Sequence, residues 1–370
     1  MASKGLEDVK ATSSKVSYID GKEGILSYRG YNIKDLSDNS NFEETSYLLL
    51  YGELPTTKQL DEFQKQMKEN RNIPESVISI IKSSSKDTEL MDILRTSISA
   101  LASSDPEYKD NNHEVRIRKS IRIISKIATV LAVVERTRRN EELIEPNNSL
   151  KHAENFLYMV NGEKPPEKDS EVLDKCLILH ADHELNASTF AARVTASTLS
   201  DVYSAVTSAI GTLKGPLHGG ANERVMKMLD EIKEPDRVAP HLDNLLENKQ
   251  KVMGFGHRVY KTIDPRATIL RKLAEEMSSK SPNKYFNMSL KMEEIMNQKK
   301  GLRPNVDFYA ASVYNMVNIP KHLFTPIFAC SRSSGWCAHV LEQLQDNRLI
   351  RPRSDYDGEI DRIYSNIDSR

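Results

Sequence analysis

The chain has 370 residues, 38% of them apolar and 28% charged, with a formal net charge of -1. That length exceeds one simple core and predicts two domains, while the composition excludes intrinsic disorder. A charge so near zero excludes a global field favouring nucleic acid or an anionic membrane, so neither is expected as a partner.

Cys176, Cys330 and Cys337 are odd in number and lack metal-ligand spacing. They predict reduced thiols, no structural disulfide and no bound metal. Residues 1–8 have neither the apolar core of a signal peptide nor the acid-free character of a transit peptide. No apolar run approaches the roughly 20 residues that span a bilayer, so a cytoplasmic protein is expected.

With 15 glycines, against roughly 7% in average proteins, the chain favours helices joined by short turns. Only its beginning reads as strand: residues 16–21 and 24–28 form a small hairpin with an Asp20-Gly21 turn signal. Thr56-Thr-Lys-Gln59 is a capping box just beyond Pro55. Ile93, Ile98 and Leu101 share a helix, and residues 115–139 form a longer one. Its basic stretches, 116–126 and 136–139, are expected on a solvated or interface-flanking face. Polar breaks at 145–149 and 161–166 bracket a short helix. Small residues from Ser188 to Leu213, including Ala191, Ala192, Ala196, Ala205 and Ala209, predict a central buried helix. Residues 220–317 break repeatedly, at Pro235, Pro240, Pro265, Pro282 and Pro304. They predict a smaller mobile domain inserted between 1–219 and 318–370, the chain returning in an apolar helix with Leu323, Phe324, Phe328 and Val340. An insertion hinged on both sides would leave a cleft.

Three motifs place chemistry where helices begin. In Gly215-Pro-Leu-His218-Gly-Gly, His218 precedes a helix expected over 221–229. A helix N-terminus disfavours imidazolium, so His218 should stay neutral and donate to an oxygen that gains charge; taken in isolation, the motif more often marks a turn histidine bonded to backbone. Gly254-Phe-Gly-His257-Arg-Val-Tyr-Lys261 lacks the third glycine of a dinucleotide fingerprint and follows a poor strand. Its glycines would let backbone approach a bulky ligand, and Arg258 and Lys261, one turn apart if helical, could meet phosphates or water. Asp264-Pro265 is a helix start that puts Arg266 in the first turn, a position that suits a bound anion or a neighbouring acid. In Pro304-Asn-Val-Asp307, Asp307 reads as a helix N-cap, which would lower its pKa, or as a carboxylate base in a closed cleft. His183, in His180-Ala-Asp-His183-Glu184, lacks the His-Glu-x-x-His spacing of a metal site.

In order and spacing these motifs, with Ser331-Arg-Ser-Ser-Gly-Trp336 and Ile350-Arg-Pro-Arg-Ser354, resemble citrate synthase over nearly the whole chain. The compact length is similar to the dimeric archaeal and Gram-positive forms, and residues 355–370 carry no recognisable signature. The resemblance implies an all-α, citrate synthase-like two-domain helical fold with a small N-terminal β-hairpin, working as a homodimer. It implies an acyltransferase that condenses acetyl-CoA with oxaloacetate and water to citrate and CoA in the tricarboxylic acid cycle, acetyl-CoA being a substrate and no cofactor being needed. By the same resemblance Asp307 would remove the methyl proton, His218 would hydrogen-bond the thioester oxygen and His257 would polarise the ketone. His183, Arg266, Arg332 and Arg351, the last reaching from the partner subunit, would hold oxaloacetate. Val252, Met253, Gly254, Phe255 and Gly256 would clasp CoA, with Arg258, Lys261 and Lys300 near its phosphates. Two alternatives share these residues: a 2-methylcitrate synthase acting on propionyl-CoA, and a non-catalytic CoA-binding regulatory module.

Overall fold

The computed structural model describes residues 4–6 and 9–370. The stretch read for a targeting signal falls largely on residues 1–3, 7 and 8, outside the described residues. Sixteen α-helices and one three-stranded antiparallel sheet are present among the described residues. None of those helices is long and apolar enough to cross a membrane.

The sheet is the expected hairpin with a short third strand. β1 (Ser17–Asp20) pairs with β2 (Ile25–Tyr28), Ser17 opposite Tyr28 and Asp20 opposite Ile25, and β3 (Tyr31–Asn32) extends it. Asp20 Oδ1 closes the turn by accepting the N–H groups of Lys22 and Glu23.

Five helices follow: α1 (Ile33–Asn39), α2 (Phe42–Tyr51), α3 (Thr57–Glu69), α4 (Glu75–Ser83) and α5 (Leu90–Leu101). Asn32 and Asn41 cap the first two, and Thr56 with Gln59 forms the expected capping box on the third. α6 (His113–Arg139) is buried on nearly all sides of its middle, where Ile123, Ile124, Ile127, Val130 and Leu131 lose essentially all contact with solvent. Part of its basic stretch is buried too, contrary to a solvated face. Arg122 pairs with Asp105 at 2.7 Å, and Lys119 donates to the backbone carbonyls of Tyr108 and Asp110. Charges that find partners can leave water.

α7 (His152–Asn161) and α8 (Glu167–His180) lead to α9 (Ala187–Ser197) and α10 (Val202–Lys214). The single helix expected over 188–213 is therefore two. Leu199 turns left-handed at φ 66°, and Asp201 caps the second helix by accepting the N–H of Ser204. A strong local cap overrides a continuous small-residue pattern. That pattern still does what was expected of it: Ala192, Ala196, Ala205 and Ala209 are fully buried as α9 packs on α10.

α11 (Ala221–Ile232), α12 (Val238–Glu247), α13 (Pro265–Lys280), α14 (Lys284–Lys300) and α15 (Val306–Met316) pack largely on one another. α16 (Phe324–Gln345) then runs through the first set of helices, against α2, α6, α8, α9 and α10. Its Gly335 N–H donates to the carbonyl of Ala181, and Trp336 is wholly buried. This contact seats the end of α8, and so His183, against the central helix.

Candidate active site

Two helix N-termini and two loops meet around a small set of ionisable groups. Asp264 caps α13 as its sequence predicts, with Pro265 in the first turn. The same carboxylate binds Arg266 through Nε and Nη2 at 3.0 and 2.9 Å, and accepts the N–H of Val306 at 3.1 Å. One buried carboxylate thus ties the start of α13 to the start of α15. Arg266 has the acid partner weighed from its sequence, and the pair is buried at the helix start, not on the surface. Burial works against its charge, but Asp264 outweighs it and holds the guanidinium ionised.

Asp307 does not cap its helix. Asn305 does so, its Oδ1 accepting the N–H of Asp307 at 3.1 Å. Asp307 sits one residue inside the first turn with its carboxylate unused by capping, and it remains partly exposed. Burial raises its pKa to about 6, while Arg266 and Arg332 pull the other way. The lowering expected of a capping aspartate is absent because the capping is done by another residue.

The loop that carries His257 is bound to the same helix start. Phe255 bridges to Pro304, the Gly256 N–H donates to the Arg303 carbonyl, and the Asn305 N–H donates to the Gly254 carbonyl. Asn305 Nδ2 adds a bond to the Gly256 carbonyl. Gly254 is required at φ 81°, and a Cβ there would lie 2.8 Å from Phe308 and Val225 side chains. Its close approach is thus to the protein's own core, where the sequence suggested a ligand. Val252 is buried and Met253 and Phe255 half-buried; Phe255 packs on Phe308 with ring centroids 4.5 Å apart. Arg258 and Lys261 lie in irregular chain, not one helical turn apart, and are exposed with Lys300.

Both catalytic-candidate imidazoles have their pKa values lowered, which favours the neutral ring, and each turns one nitrogen to backbone amides. Nδ1 of His257 accepts the N–H groups of Val259 and Tyr260 at 3.0 and 3.3 Å. A backbone amide can only donate, so the ring proton is on Nε2. Nε2 of His218 faces Ser188 twice, taking its N–H at 3.2 Å and lying 2.8 Å from its Oγ, which leaves Nδ1 as the ring nitrogen turned away from Ser188. Burial first, then Arg266, holds His257 down at about 4. Burial first, then Arg332 and Arg258, does the same for His218. His218 does precede a helix, but burial is the main cause of its neutrality. Its loop is braced by Arg224, which donates to the Pro216 and Gly219 carbonyls, and Gly219 passes so close to Leu213 that a Cβ would meet that carbonyl at 2.0 Å.

His183 is buried with its Nε2 3.3 Å from the Tyr260 hydroxyl and its ring 5.2 Å from that of His257. Arg332 is buried on α16, its Nε donating to the His180 carbonyl at 2.7 Å and its guanidinium over the Phe328 ring. It has no carboxylate within ion-pair distance among the described residues, and burial lowers its pKa to about 10. Arg266 and Arg332 both act on His183 and Asp307. Arg351 is not brought to this cluster; it lies in exposed, irregular chain after α16.

Sequence reasoning missed Ser188, Trp336, Asn305 and Tyr260. Ser188 is held by Trp336, whose Nε1 donates to its Oγ at 3.1 Å, and holds His218 in turn. Its position two residues after the cap Asn186 was the local signal, but nothing local ties it to His218.

A neutral donor on each side, a raised carboxylate and two buried guanidiniums suit proton abstraction next to a carbonyl in the presence of an anion. The family model "Citrate synthase, C-terminal domain" matches residues 5–353. "Citrate synthase 2" of Bacillus subtilis is 49% identical, covering 100% of this chain and 99% of that one. "2-methylcitrate synthase 2" of Corynebacterium glutamicum is 43% identical over 99% of this chain and 97% of its own. The solved citrate synthase of Thermoplasma acidophilum, a ternary complex with carboxymethyl coenzyme A and oxaloacetate, superposes with a TM-score of 0.94 at 38% identity, covering 100% of this chain and 99% of that one. Motif order, fold and full-length likeness agree, and the chain belongs to the citrate synthase family.

Proposed function

We propose that this cluster carries out the family's condensation of acetyl-CoA with oxaloacetate, with Asp307 as base and His218 and His257 as neutral hydrogen-bond donors. The observation that carries the assignment is a carboxyl that burial raises to about 6 against Arg266 and Arg332, the same two guanidiniums that act on the lowered imidazoles of His257 and His218.

A thioester methyl is a very weak acid, so a carboxylate removes its proton only if the oxygen is stabilised as charge develops. Nδ1–H of His218 would donate to that oxygen as Asp307 takes the proton. The enol carbon then attacks the ketone carbon of oxaloacetate, whose oxygen is polarised by Nε2–H of His257. Water cleaves the resulting citryl thioester, releasing citrate and CoA. General acid–base assistance supplies roughly 10²–10⁴-fold, and each oxyanion donor about 10²–10³-fold. Oxaloacetate brings two carboxylates, and His183, Arg266 and Arg332 supply donors for them. The 252–256 loop, with Arg258, Lys261 and Lys300 nearby, would take CoA. No cofactor enters this chemistry.

Residues 220–317 would move as a smaller body against 1–219 and 318–370, oxaloacetate binding first and closing the cleft before acetyl-CoA enters. The working unit would be a cytoplasmic homodimer in which Arg351 serves the partner's site; buried, unpaired Cys176, Cys330 and Cys337 suit a reducing compartment.

Thiol release from acetyl-CoA and from propionyl-CoA, with and without oxaloacetate, tests the assignment. Oxaloacetate-dependent release, faster with acetyl-CoA, is expected. Faster release with propionyl-CoA would favour the 2-methylcitrate reading, since one methylene is worth only about 1–3 kcal/mol in a pocket. No oxaloacetate-dependent release would favour the silent CoA-binding module.

A further inference from the structure

Tyr260 packs against the imidazoles of both His183 and His257, and the mechanism above gives it no task. It is 3% exposed. Its hydroxyl lies 3.3 Å from Nε2 of His183, its hydrogen-bond partner among the described residues. Its ring centroid is 4.7 Å from that of His257 and 5.6 Å from that of His183. Its backbone N–H is one of the two that donate to Nδ1 of His257. The next residue, Lys261, donates its N–H to the Gly21 carbonyl at 2.8 Å, which anchors the segment to the β1–β2 turn.

A residue that only filled space here would need its ring alone. A buried hydroxyl is costly unless bonded, and this one is bonded to an imidazole whose two nitrogens are not equivalent. A neutral imidazole carries one N–H and one lone pair. A carboxylate can only accept, so His183 must present its N–H to the substrate. Which nitrogen bears that proton is decided by what the other one meets. The Tyr260 hydroxyl can donate to Nε2, and burial keeps the phenol protonated by raising its pKa. The proton of His183 then sits on Nδ1.

We propose that Tyr260 is a positioning residue of the oxaloacetate site. Its hydroxyl sets the tautomer and direction of His183, while its ring and backbone N–H set His257. One residue thereby aligns the imidazole that holds a carboxylate with the one that polarises the ketone. This rests on the reading of His183 as an oxaloacetate ligand.

Steady-state kinetics of Tyr260→Phe, Tyr260→Leu, His183→Asn and the Tyr260→Phe/His183→Asn double variant test it, with thermal melting of each. In Tyr260→Phe the KM for oxaloacetate should rise about 5–20-fold, with the KM for acetyl-CoA within about twofold and kcat down by no more than about threefold. Tyr260→Leu, which also removes the ring, should lower kcat by a further tenfold or so. In the His183→Asn background the Tyr260→Phe effect should vanish. An oxaloacetate KM in Tyr260→Phe within about twofold of the parent, or a rise that persists without His183, would overturn the proposal. So would equal losses for both substrates together with a lower melting temperature. If His183→Asn alone leaves the oxaloacetate KM unchanged, the His183 assignment falls, and the proposal with it. Imidazole nitrogen NMR of the unsubstituted enzyme gives an independent reading: a proton on Nδ1 of neutral His183 is expected, and one on Nε2 would contradict it.

Discussion

Burial acts in opposite senses on the acid and the imidazoles, and both senses would serve the proposed reaction. Removing water disfavours whichever form is charged, so Asp307 rises to about 6 while His218 and His257 fall to about 4. The carboxylate becomes a better base and the imidazoles remain neutral donors through neutral pH. The two buried arginines differ in what they leave behind when removed. Arg266→Ala would strand the Asp264 carboxylate, which also holds the start of α15, and should cost about 3–5 kcal/mol of stability besides weakening oxaloacetate binding. Arg332→Ala strands no carboxylate. It should raise the oxaloacetate KM about 10–100-fold with the smaller loss of melting temperature. Equal losses of stability in the two variants would show that Asp264 does not depend on Arg266.

At the scale of elements, the site is assembled by helix starts and the bonds between them. Asn305 caps α15 and fastens the Gly256 carbonyl, so it links the start of Asp307's helix to the loop that carries His257. Asn305→Ala should cost about 1 kcal/mol of stability, and should lower kcat about tenfold as Asp307 and His257 lose register. An unchanged kcat with the same stability loss would leave Asn305 a cap and nothing more. The caps at Thr56 and Asp264-Pro265 were legible because their signals are local and unopposed. The start of α15 was misread because Asn305 and Asp307 are both good caps two residues apart, and composition does not rank them. The break between α9 and α10 was hidden by small residues that continue on both sides of Asp201. The support of His218 was not legible at all: it needs Trp336 to meet Ser188 across 148 residues, a contact that only the packing of α16 creates.

For the whole molecule, the order and spacing of the motifs that carry His218, His257 and Asp307 were readable in the sequence, whereas Arg351 is exposed within one chain. If Arg351 completes the partner's site, hybrid dimers can separate the two defects. Arg351→Ala and Asp307→Asn chains are each expected to be nearly inactive alone. Mixed by co-refolding, they should recover about a quarter of parental activity, because random pairing gives half hybrids with one intact site of two. No recovery would place Arg351 in its own chain's site, and an Arg351→Ala chain that is active alone would place it outside any site. The cleft itself is tested most directly by the pH dependence of kcat/KM for acetyl-CoA at saturating oxaloacetate, in the parent enzyme and in Asp307→Asn. A raised carboxyl is ionised and active above its pKa and protonated and inert below it. The parent rate should therefore fall tenfold per pH unit below about 6, with the variant slower by about 10²–10⁴-fold and lacking that inflection. A parental rate that stays flat to about pH 5, or an inflection that survives in Asp307→Asn, would contradict the assignment of Asp307 as the base.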